Sequence, residues 1–454
     1  MMKKRWICFL LAFLLALPLC GQPAKNAVWI IGDGMGPGVM GMFMQGVQLA
    51  GLPQYPNKTS TLEKFIKASQ TGLYFSHTHD SVVSDSACAA TQMAGGVKST
   101  PGAVGVDAQG KSITSLLEEA IKAGKSVGVI TDSYVADATP AGFLAHTANR
   151  ADKYSIARQI VYGQAQVILG GGIKYFSQHS NKNLLQEAKK QGWQVVENLQ
   201  DMQKVNKGRL LGLFADEAMP FYGEKEEHAN VPTLKEMTQK AIDLLSQNEK
   251  GFVLIVEAGK IDWALHDNEL GPTLWEMINL DETLAYVWDF AQKKKDTLLY
   301  LNADHETGVP AFHYYNVYGK QFSDKTAQGE KLYSGNMDYV GYQYYNKLFK
   351  HKKMLYFMYP KFRKLPKEEQ TTEKLQQMTQ EILGEKMELD LGTWVPPYEA
   401  LVRKVNQAYG LVWATPNHSG GMLLGVAYGP HAQQFGGVYH NTDLKDKFKK
   451  ALGL

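Results

Sequence analysis

The sequence predicts an α/β fold with a large, mostly parallel central sheet and helices on both faces. Short, continuously apolar runs recur along the chain, and such runs are typical of strands buried on both faces of a parallel sheet. Stretches with helical periodicity separate these runs. The 454 residues are 44% hydrophobic and carry no long linker and no repeat of fixed period. We therefore expect one large domain with an inserted segment.

The predicted strands are apolar, often β-branched runs that end at glycine or at polar residues. In chain order they are Asn26–Ile31, Gly72–Phe75, Ser126–Thr131, Val167–Gly172 with its turn, Phe252–Val256, Thr297–Leu301, Leu411–Thr415 and Met422–Tyr428. The predicted helices are Ile113–Ala123, Leu184–Lys190, Thr233–Ser246, Trp275–Lys293, Thr372–Leu383 and Asn441–Ala451. A further helical stretch is expected to begin near Arg150.

Composition changes between about Pro310 and Pro397, where tyrosine becomes dense and lysine frequent. We interpret this stretch as a Tyr-rich insertion with some helix of its own, within a domain that runs from residue 22 to residue 454. A tyrosine-rich surface can serve as an interface. A loop-rich excursion packed on its own domain explains the composition equally well, so both interpretations stay open.

Residues 1–21 are expected to be an export signal. Residues 3–5 are basic, and the uncharged apolar run at 7–17 is too short for a comfortable membrane span. The three basic residues account for the whole net charge of +3, so the mature chain gives no argument for nucleic-acid binding. No later stretch qualifies as a transmembrane helix. We expect a periplasmic or secreted protein; lipid anchoring at Cys20 is disfavoured because Leu19 is large where a small residue is expected.

Ser86 is a candidate nucleophile. It follows an apolar segment at 81–83 and precedes small, helix-compatible residues. This pattern indicates a serine at a helix N-terminus, where free backbone N–H groups and the helix dipole favour an anion. A serine attacks only with help from a base, a lowered pKa or a metal. The alternative is that Asp85 or Ser86 merely caps the helix, so the case for chemistry depends on the rest of the chain.

Acidic and histidine residues recur where the predicted strands end. They are Asp33, Glu257, Asp262, His266, Asp304, His305 and His418. The carboxyl ends of parallel strands lie side by side, and ligands bind at that edge of such sheets. We therefore expect these side chains to converge. Mixed nitrogen and carboxylate ligands suit zinc, whereas hydroxyl and carboxylate ligands suit magnesium. Each histidine alone is more often structural, but the joint pattern is difficult to obtain by chance.

Taken together and in order, these segments closely resemble those of alkaline phosphatases. The matching segments are Ile31–Gly36, Asp85–Ala87 with Gly96–Lys98, Asp137–Ala141 with Arg150, Glu257–His266, Ala303–His305, His418–Gly420 and Ala427–Pro430. The resemblance implies an enzyme that hydrolyses small-molecule phosphate monoesters with two Zn2+ ions and one Mg2+ ion. It does not cover the tyrosine-rich insertion.

The resemblance also implies a role for each residue. The ligands of the first zinc would be Asp262, His266 and His418, and those of the second Asp33, Asp304, His305 and the Ser86 oxygen. The ligands of magnesium would be Asp33, Thr139 and Glu257. Ser86 would attack phosphorus to give a phosphoserine, while Arg150 grips two phosphate oxygens in a bidentate fork. The resemblance suggests a homodimer, although nothing in the residues themselves requires one.

Two positions near the implied magnesium differ among members of the family. They are an aspartate and a lysine in well-studied bacterial members and two histidines in many animal enzymes, whereas here they are Asp137 and Trp263. Trp263 removes an ammonium that would reach bound phosphate through water. This departure bears on phosphate affinity and metal preference. The simpler interpretation is that Trp263 only packs beside the site.

Other functions compete with this one. A phosphodiesterase of the same superfamily is the main alternative, but Arg150 favours a monoester, whose terminal phosphate offers two free oxygens. A sulfatase needs a C-x-P-x-R or S-x-P-x-R segment, and residues 86–90 lack its proline and arginine. A zinc-dependent binding protein with an inactive site is disfavoured because no implied ligand is missing.

Overall fold

The computed structural model describes residues 21–177, 183–312 and 342–454. Its strands are β1 (Asn26–Gly32), β2 (Gln70–Phe75), β3 (Ser126–Tyr134), β4 (Val167–Gly171), β5 (Trp193–Val196), β6 (Arg209–Leu213), β7 (Phe252–Ala258), β8 (Thr297–Ala303), β9 (Glu306–Thr307), β10 (Pro310–Phe312), β11 (Leu411–Trp413), β12 (His418–Ser419), β13 (Leu423–Tyr428) and β14 (Gly437–His440). Its α-helices are α1 (Pro37–Leu49), α2 (Thr61–Ala68), α3 (Ser86–Gly95), α4 (Leu116–Lys122), α5 (Ala138–Leu144), α6 (Lys153–Tyr162), α7 (Lys174–Ser177), α8 (Leu184–Lys190), α9 (Leu199–Lys204), α10 (Leu234–Leu245), α11 (Lys260–His266), α12 (Leu270–Lys294), α13 (Gln343–Leu348), α14 (Leu355–Arg363), α15 (Thr372–Leu383), α16 (Tyr398–Ala408) and α17 (Asp443–Leu452).

Ten strands form one sheet in the order β14-β2-β13-β8-β1-β7-β3-β4-β6-β5. All pairings in this sheet are parallel except those that β13 makes with β2 and β8. The central strands β1, β7 and β8 are buried along their whole length, which explains their unbroken apolar runs. The prediction of a large, mostly parallel sheet with helices is therefore confirmed.

The helices cover the sheet with side chains spaced to face it. Helices α10 and α12 pack on each other; α10 contacts β3 and β7, and α12 contacts β8. Trp29 of β1 stacks on Phe448 of α17, with ring centroids 4.3 Å apart. Its indole N–H donates to Asn302 Oδ1 at 2.7 Å, so the buried polar group is satisfied. This packing fixes β1 against β8, the two strands whose ends carry candidate ligands.

Most predicted elements occur near their predicted positions. Helices α8 and α15 have the predicted bounds, while α12 begins at Leu270 rather than at Trp275. The predicted strand Leu411–Thr415 is shorter, and as β11 it pairs with β10 in a separate two-stranded sheet rather than with the main one. Arg150 does not begin a helix; it lies in a turn, and α6 begins at Lys153 behind an Asp152 cap.

The described part of the tyrosine-rich region contains α13, α14 and α15 and is anchored to the core. Strands β10 and β11 pair at its base. The buried carboxylate of Glu269 accepts a hydrogen bond from the backbone N–H of Leu355 at 2.8 Å, which ties α14 to the start of α12. The predicted boundaries of the domain and of the insertion stay a prediction. Residues 1–20 of the predicted export signal and the tyrosines between 313 and 341 lie outside the described residues. In the described ranges, no helix is both long enough and apolar enough to span a membrane.

Candidate active site

The carboxyl ends of the central strands bring three acidic residues together. Asp33 follows β1 directly, Asp304 follows β8 directly, and Glu257 is the penultimate residue of β7. The three strands are neighbours in the order β8-β1-β7. Adjacent parallel strands in register end at the same edge. These three carboxylates therefore meet although more than half of the chain separates the first from the last.

Shorter elements bring the remaining ligand-type residues to the same edge. The two-stranded sheet of β9 and β12 places His418 opposite Thr307, and the His418 ring stacks on that of His305 at 3.6 Å between centroids. Helix α11 supplies Asp262 and His266, whose Oδ2 and Nε2 atoms are 3.3 Å apart. The helical spacing of these two residues is thus the one expected from the sequence.

Two adjacent groups of ligand-type atoms result. One atom from each of Asp262, His305 and His418 lies within 4.8 Å of the others, and the same holds for Asp33, Asp304 and His305. His266 extends the first group, because its Nε2 lies 3.0 Å from His418 Nε2. All seven strand-end residues singled out in the sequence therefore occur in or beside one site; the seventh, Glu257, lies on the side of Thr139.

Hydrogen bonds to carbonyl groups orient two of the imidazoles. Nδ1 of His266 lies 2.7 Å from Pro416 O, and Nδ1 of His418 lies 2.8 Å from Ser84 O. A carbonyl only accepts, so each Nδ1 carries the proton and each Nε2 presents a lone pair. Outer hydrogen bonds of this kind are what hold metal-binding histidines in place.

Thr307 orients the third imidazole. Its hydroxyl donates to Asp262 Oδ1 at 2.5 Å and lies 3.2 Å from His305 Nδ1. Because a hydroxyl has one hydrogen, His305 Nδ1 must be the donor in the second contact, which leaves Nε2 as an acceptor. Thr307 was not singled out in the sequence; its position after the Asp304-His305 pair was the only signal.

The facing nitrogen atoms require a positive charge between them. Two lone pairs 3.0 Å apart, on His266 and His418, repel unless a cation or a proton lies between them. Burial and the neighbouring His305 lower the pKa of His418 to about 4, so it is neutral at pH 7. Burial opposes charge on His266 as well, but Asp262 outweighs it and raises the pKa to about 8. A proton and a metal ion therefore compete for the same place.

The carboxylates of the site also need a positive charge close to them. Among the described residues, Asp33 Oδ1, Asp304 Oδ2 and Glu257 Oε2 are buried oxygens with no hydrogen-bond partner. Burial and the charge of Asp304 raise the pKa of Asp33 well above its usual value, and burial and Asp262 raise that of Asp304 to about 6. Crowded, unpartnered carboxylates of this kind fit divalent cations. Nitrogen and carboxylate donors match zinc, and the oxygen-only set that includes Thr139, 3.4 Å from Asp33, matches magnesium.

Ser86 is the first residue of α3 and faces this site. Its Oγ lies 3.1 Å from His305 Nε2. The cap of the helix is Asp85, whose carboxylate accepts from the N–H of Cys88 at 3.0 Å. Asp85 therefore caps the helix N-terminus. The Ser86 hydroxyl does not cap the helix and points at the ligand-type groups.

Arg150 lies between two carboxylates. Its NH1 lies 3.0 Å from Asp85 Oδ2, and its NH2 lies 3.5 Å from Asp137 Oδ1. Burial opposes the charge, but these two carboxylates raise the pKa of Arg150 above its ordinary value, so it stays charged. The side chain is one-third exposed, which leaves it accessible to a ligand. Asp85 therefore links the helix that begins at Ser86 to Arg150, whereas the sequence indicated only a possible helix cap at this position.

A lysine that the sequence reasoning missed approaches Asp137. Lys153 Nζ lies 3.6 Å from Asp137 Oδ1 and 4.9 Å above the Tyr134 ring. Trp263, in contrast, packs against Phe221 and Met354. Trp263 thus contributes to packing, while an ammonium reaches Asp137 from α6.

Asp132 positions the helix that carries two candidate ligands. The predicted strand Ser126–Thr131 ends before Asp132, but β3 continues to Tyr134 and Asp132 is buried within it. Its Oδ1 accepts from the N–H groups of Gly259 and Lys260 at 2.7 and 3.1 Å. Its Oδ2 accepts from the side-chain amide of Asn279 at 3.2 Å. Asp132 therefore caps α11 and joins it to β3 and α12.

A mostly parallel sheet whose strand ends carry candidate metal ligands beside a helix-terminal serine fits a metal-dependent α/β hydrolase. The chain belongs to the alkaline phosphatase family, whose model, described as alkaline phosphatase, matches residues 24–454. This membership makes the protein a phosphomonoesterase of a metal-dependent family.

Individual relatives agree with the family match. Alkaline phosphatase 4 of Bacillus subtilis is 31% identical over 439 residues, which span 94% of this chain and 88% of that protein. Alkaline phosphatase of Escherichia coli is 32% identical over 63% of this chain and 71% of its own length. The alkaline phosphatase structure from Thermus thermophilus superposes with a TM-score of 0.81 at 25% identity, covering 96% of this chain and 92% of that one. A cold-active alkaline phosphatase of Shewanella sp. gives 0.77 at 26% identity, covering 94% and 99%.

We predict that Asp132→Ala lowers metal affinity and activity by about 10- to 100-fold, the usual cost of losing an outer-shell partner of a metal site. Removal of the carboxylate leaves the first N–H groups of α11 unpaired and frees the helix that carries Asp262 and His266. Metal content by elemental analysis after dialysis, together with monoester turnover, measures the effect. The control is Asp132→Asn, which keeps one oxygen acceptor and is expected to lie between the two. Unchanged metal retention in Asp132→Ala would contradict this role.

Proposed function

We propose that the enzyme hydrolyses phosphate monoesters through a phosphoserine on Ser86, with two zinc ions and one magnesium ion held at the strand ends. The observation that carries this proposal is the set of Nε2 lone pairs and buried, unpartnered carboxylate oxygens that face one another beside the Ser86 hydroxyl. A site built in this way is stabilised by several positive charges.

The proposed ligand sets draw on the two groups of atoms, with His266 added to the first and His305, which belongs to both groups, assigned to the second. The first zinc would be held by Asp262, His266 and His418, and the second by Asp33, Asp304, His305 and the Ser86 oxygen. Magnesium would be held by Asp33, Thr139 and Glu257. When bound, such ions lower the pKa of water to about 7 and stabilise charge on attacking and leaving oxygens.

The chain's own residues perform the rest of the reaction. Ser86 Oγ attacks phosphorus and gives up its hydroxyl proton, the bond to the leaving oxygen breaks, and the alcohol departs with that proton. Water then attacks the phosphoserine, which releases inorganic phosphate and restores the hydroxyl. Arg150, held in place by Asp85 and Asp137, binds two phosphate oxygens and orients the monoester for attack.

Export and pairing of two copies complete the proposal. The basic and apolar residues at 1–21 support export to the periplasm or the medium. A homodimer is expected from the family resemblance. The exposed apolar side chains Leu73 and Val438 are register partners on β2 and β14, with exposed Phe75 on the same face of β2, and this is the surface we expect a second copy to cover.

We predict that chelation lowers hydrolysis of 4-nitrophenyl phosphate by on the order of a hundredfold or more, since the ions supply several kcal/mol of charge stabilisation. Zinc is expected to restore most of the activity, and magnesium to increase it further. Bis(4-nitrophenyl) phosphate, a diester, serves as the comparison and should be turned over poorly in every metal state. Full monoesterase activity in protein shown by elemental analysis to be metal-free would refute the proposal, and preferred turnover of the diester would favour a phosphodiesterase.

We predict that Ser86→Ala forms no covalent phosphoenzyme and loses a factor on the order of 10³ in turnover. Some hydrolysis should remain, because the ligand groups and Arg150 are unaltered. Brief incubation with labelled phosphate at acid pH, followed by peptide mapping, detects the phosphoserine. Ser84→Ala is the matched control, because it removes a nearby hydroxyl but keeps the carbonyl that orients His418. Label found on another residue of the wild type would disprove the assignment.

We predict that inorganic phosphate inhibits Trp263→Lys several-fold more strongly than it inhibits the wild type. An added ammonium several ångströms from the bound anion contributes on the order of 1 kcal/mol, which is several-fold in affinity. Lys153→Met is expected to weaken inhibition, because Lys153 already brings a positive charge to Asp137.

Trp263→Phe is the control for this measurement, because it keeps an aromatic ring against Phe221 and adds no charge. Inhibition constants are compared at saturating zinc and magnesium with metal occupancy verified, so that loosening of the neighbouring Asp262 cannot be mistaken for an electrostatic effect. Equal phosphate affinity in Trp263→Lys and the wild type would show that this position does not tune product binding.

A further inference from the structure

A cavity of about 740 Å³ lies between the core and helices α14 and α16, directly beside the candidate active site. Its core wall is formed by His266–Asn268 and Leu411–Pro416. The opposite wall is formed by Tyr356 of α14 and by α16, including Tyr398 and Arg403. His266 is therefore both a candidate metal ligand and part of the cavity wall.

The cavity lies on the side of the active site away from the nucleophile. Ser86 contacts His305, His305 stacks on His418, and His418 Nε2 faces His266 Nε2. Exposure of the three imidazole side chains rises along this series, from 0% for His305 to 14% for His418 and 37% for His266. The site thus opens toward solvent at His266.

The geometry of phosphoryl transfer relates this opening at His266 to the position of the leaving group. In phosphoryl transfer the attacking and leaving oxygens are roughly in line with phosphorus between them. A leaving group displaced by Ser86 therefore departs on the opposite side of the phosphorus, which is the side of His266. Any large leaving group must then lie against the residues that begin at His266 and Pro416, where the cavity starts.

The aromatic walls of the cavity are held in place by a buried carboxylate of the core. Glu269 accepts from the backbone N–H of Tyr356 at 3.0 Å and from the hydroxyl of Tyr398 at 2.8 Å. The side-chain amide of Asn406 donates to Asn268 O at 2.9 Å, which joins α16 to the core. The cavity is therefore a built site whose walls are fixed before a ligand arrives, an arrangement that lowers the entropic cost of binding.

The side chains in the cavity match a flat ligand with polar edges. Tyr356, Tyr398 and Trp413 offer aromatic surface, and Tyr356 is 48% exposed. Arg403 makes no salt bridge with any residue that the structure describes, so its guanidinium is available for stacking or for hydrogen bonding. Aromatic rings together with a free arginine are the groups that proteins use to stack nucleic-acid bases. A short aliphatic leaving group would touch little of this surface.

We propose that this cavity is the subsite for the leaving group and that it binds a nucleoside, which makes nucleoside 5′-monophosphates preferred substrates. The inference rests on the proposed function, since it assigns a place to the alcohol that the Ser86 reaction releases. The 5′ ester joins the base to the phosphate through one ribose, so the phosphate can lie at Arg150 while the base lies beyond His266.

The test compares two substrates that share a leaving alcohol. Adenosine 5′-monophosphate and ribose 5-phosphate both release a primary ribose hydroxyl, and only the first carries a base. We expect kcat/KM to favour the nucleotide by about tenfold in the wild type, in line with stacking of one base on aromatic side chains. Tyr356→Ala and Arg403→Ala are each expected to lower this ratio severalfold toward one while leaving ribose 5-phosphate unaffected. Trp394→Ala is the matched control, because Trp394 is 65% exposed and does not line the cavity.

A second measurement does not depend on turnover. Ligand-observed NMR is used to follow binding of adenosine to the metal-loaded wild type and to each variant, and binding should weaken severalfold in Tyr356→Ala and Arg403→Ala. An unchanged nucleotide preference in these variants, or a wild-type ratio near one, overturns the inference. Failure of the proposed function has a different signature: ribose 5-phosphate is then not hydrolysed by the wild type either, whereas adenosine binding still reports on the cavity alone.

Discussion

The structure is organised around an excess of lone pairs and buried negative charge at one edge of the sheet. Asp33, Asp304 and Glu257 each present an unpartnered buried oxygen there, and imidazole Nε2 atoms of His266 and His418 face each other at 3.0 Å. Burying such groups is costly unless cations or protons compensate them. The sheet order, the helix caps and the short β9–β12 pairing all act to hold these atoms close despite their repulsion. Such a costly cluster of buried groups destabilises the fold and is typical of a functional site.

The residues behind the candidate ligands make the arrangement precise. Asp132 caps the helix that carries Asp262 and His266, and Thr307 fixes the tautomer of His305. Asp85 caps the helix that begins at Ser86 and also contacts Arg150. None of the three would contact a metal ion. Each of them pairs with backbone or side-chain donors that would otherwise lack a hydrogen-bond partner. These hydrogen bonds orient the candidate ligands and Arg150.

The convergence of these ligand-type residues could be predicted from the sequence because strand ends are local features. A buried apolar run followed by Asp33 or by Asp304 can be recognised without knowing which strands pair. The sequence did not reveal Lys153 or Asp132, whose roles arise from contacts between segments distant in the chain. The sequence also could not predict the strand order, the antiparallel direction of β13 or the separate pairing of β11. Hydrophobic periodicity indicates which residues are buried but not which strands pair.

The distribution of the candidate ligands along the chain also constrains when the site can form during synthesis. The groups that converge begin at Asp33 and end at His418, in a chain of 454 residues. A chain emerges N-terminus first from a ribosome or through a translocation pore. His418 and its strand β12 therefore become available only after nearly the whole chain has emerged. Partial chains therefore hold an incomplete set of the candidate ligands. If His418 binds metal as we propose, completion of the catalytic centre is a late event of biogenesis, and a chain truncated before β12 lacks the last candidate ligand.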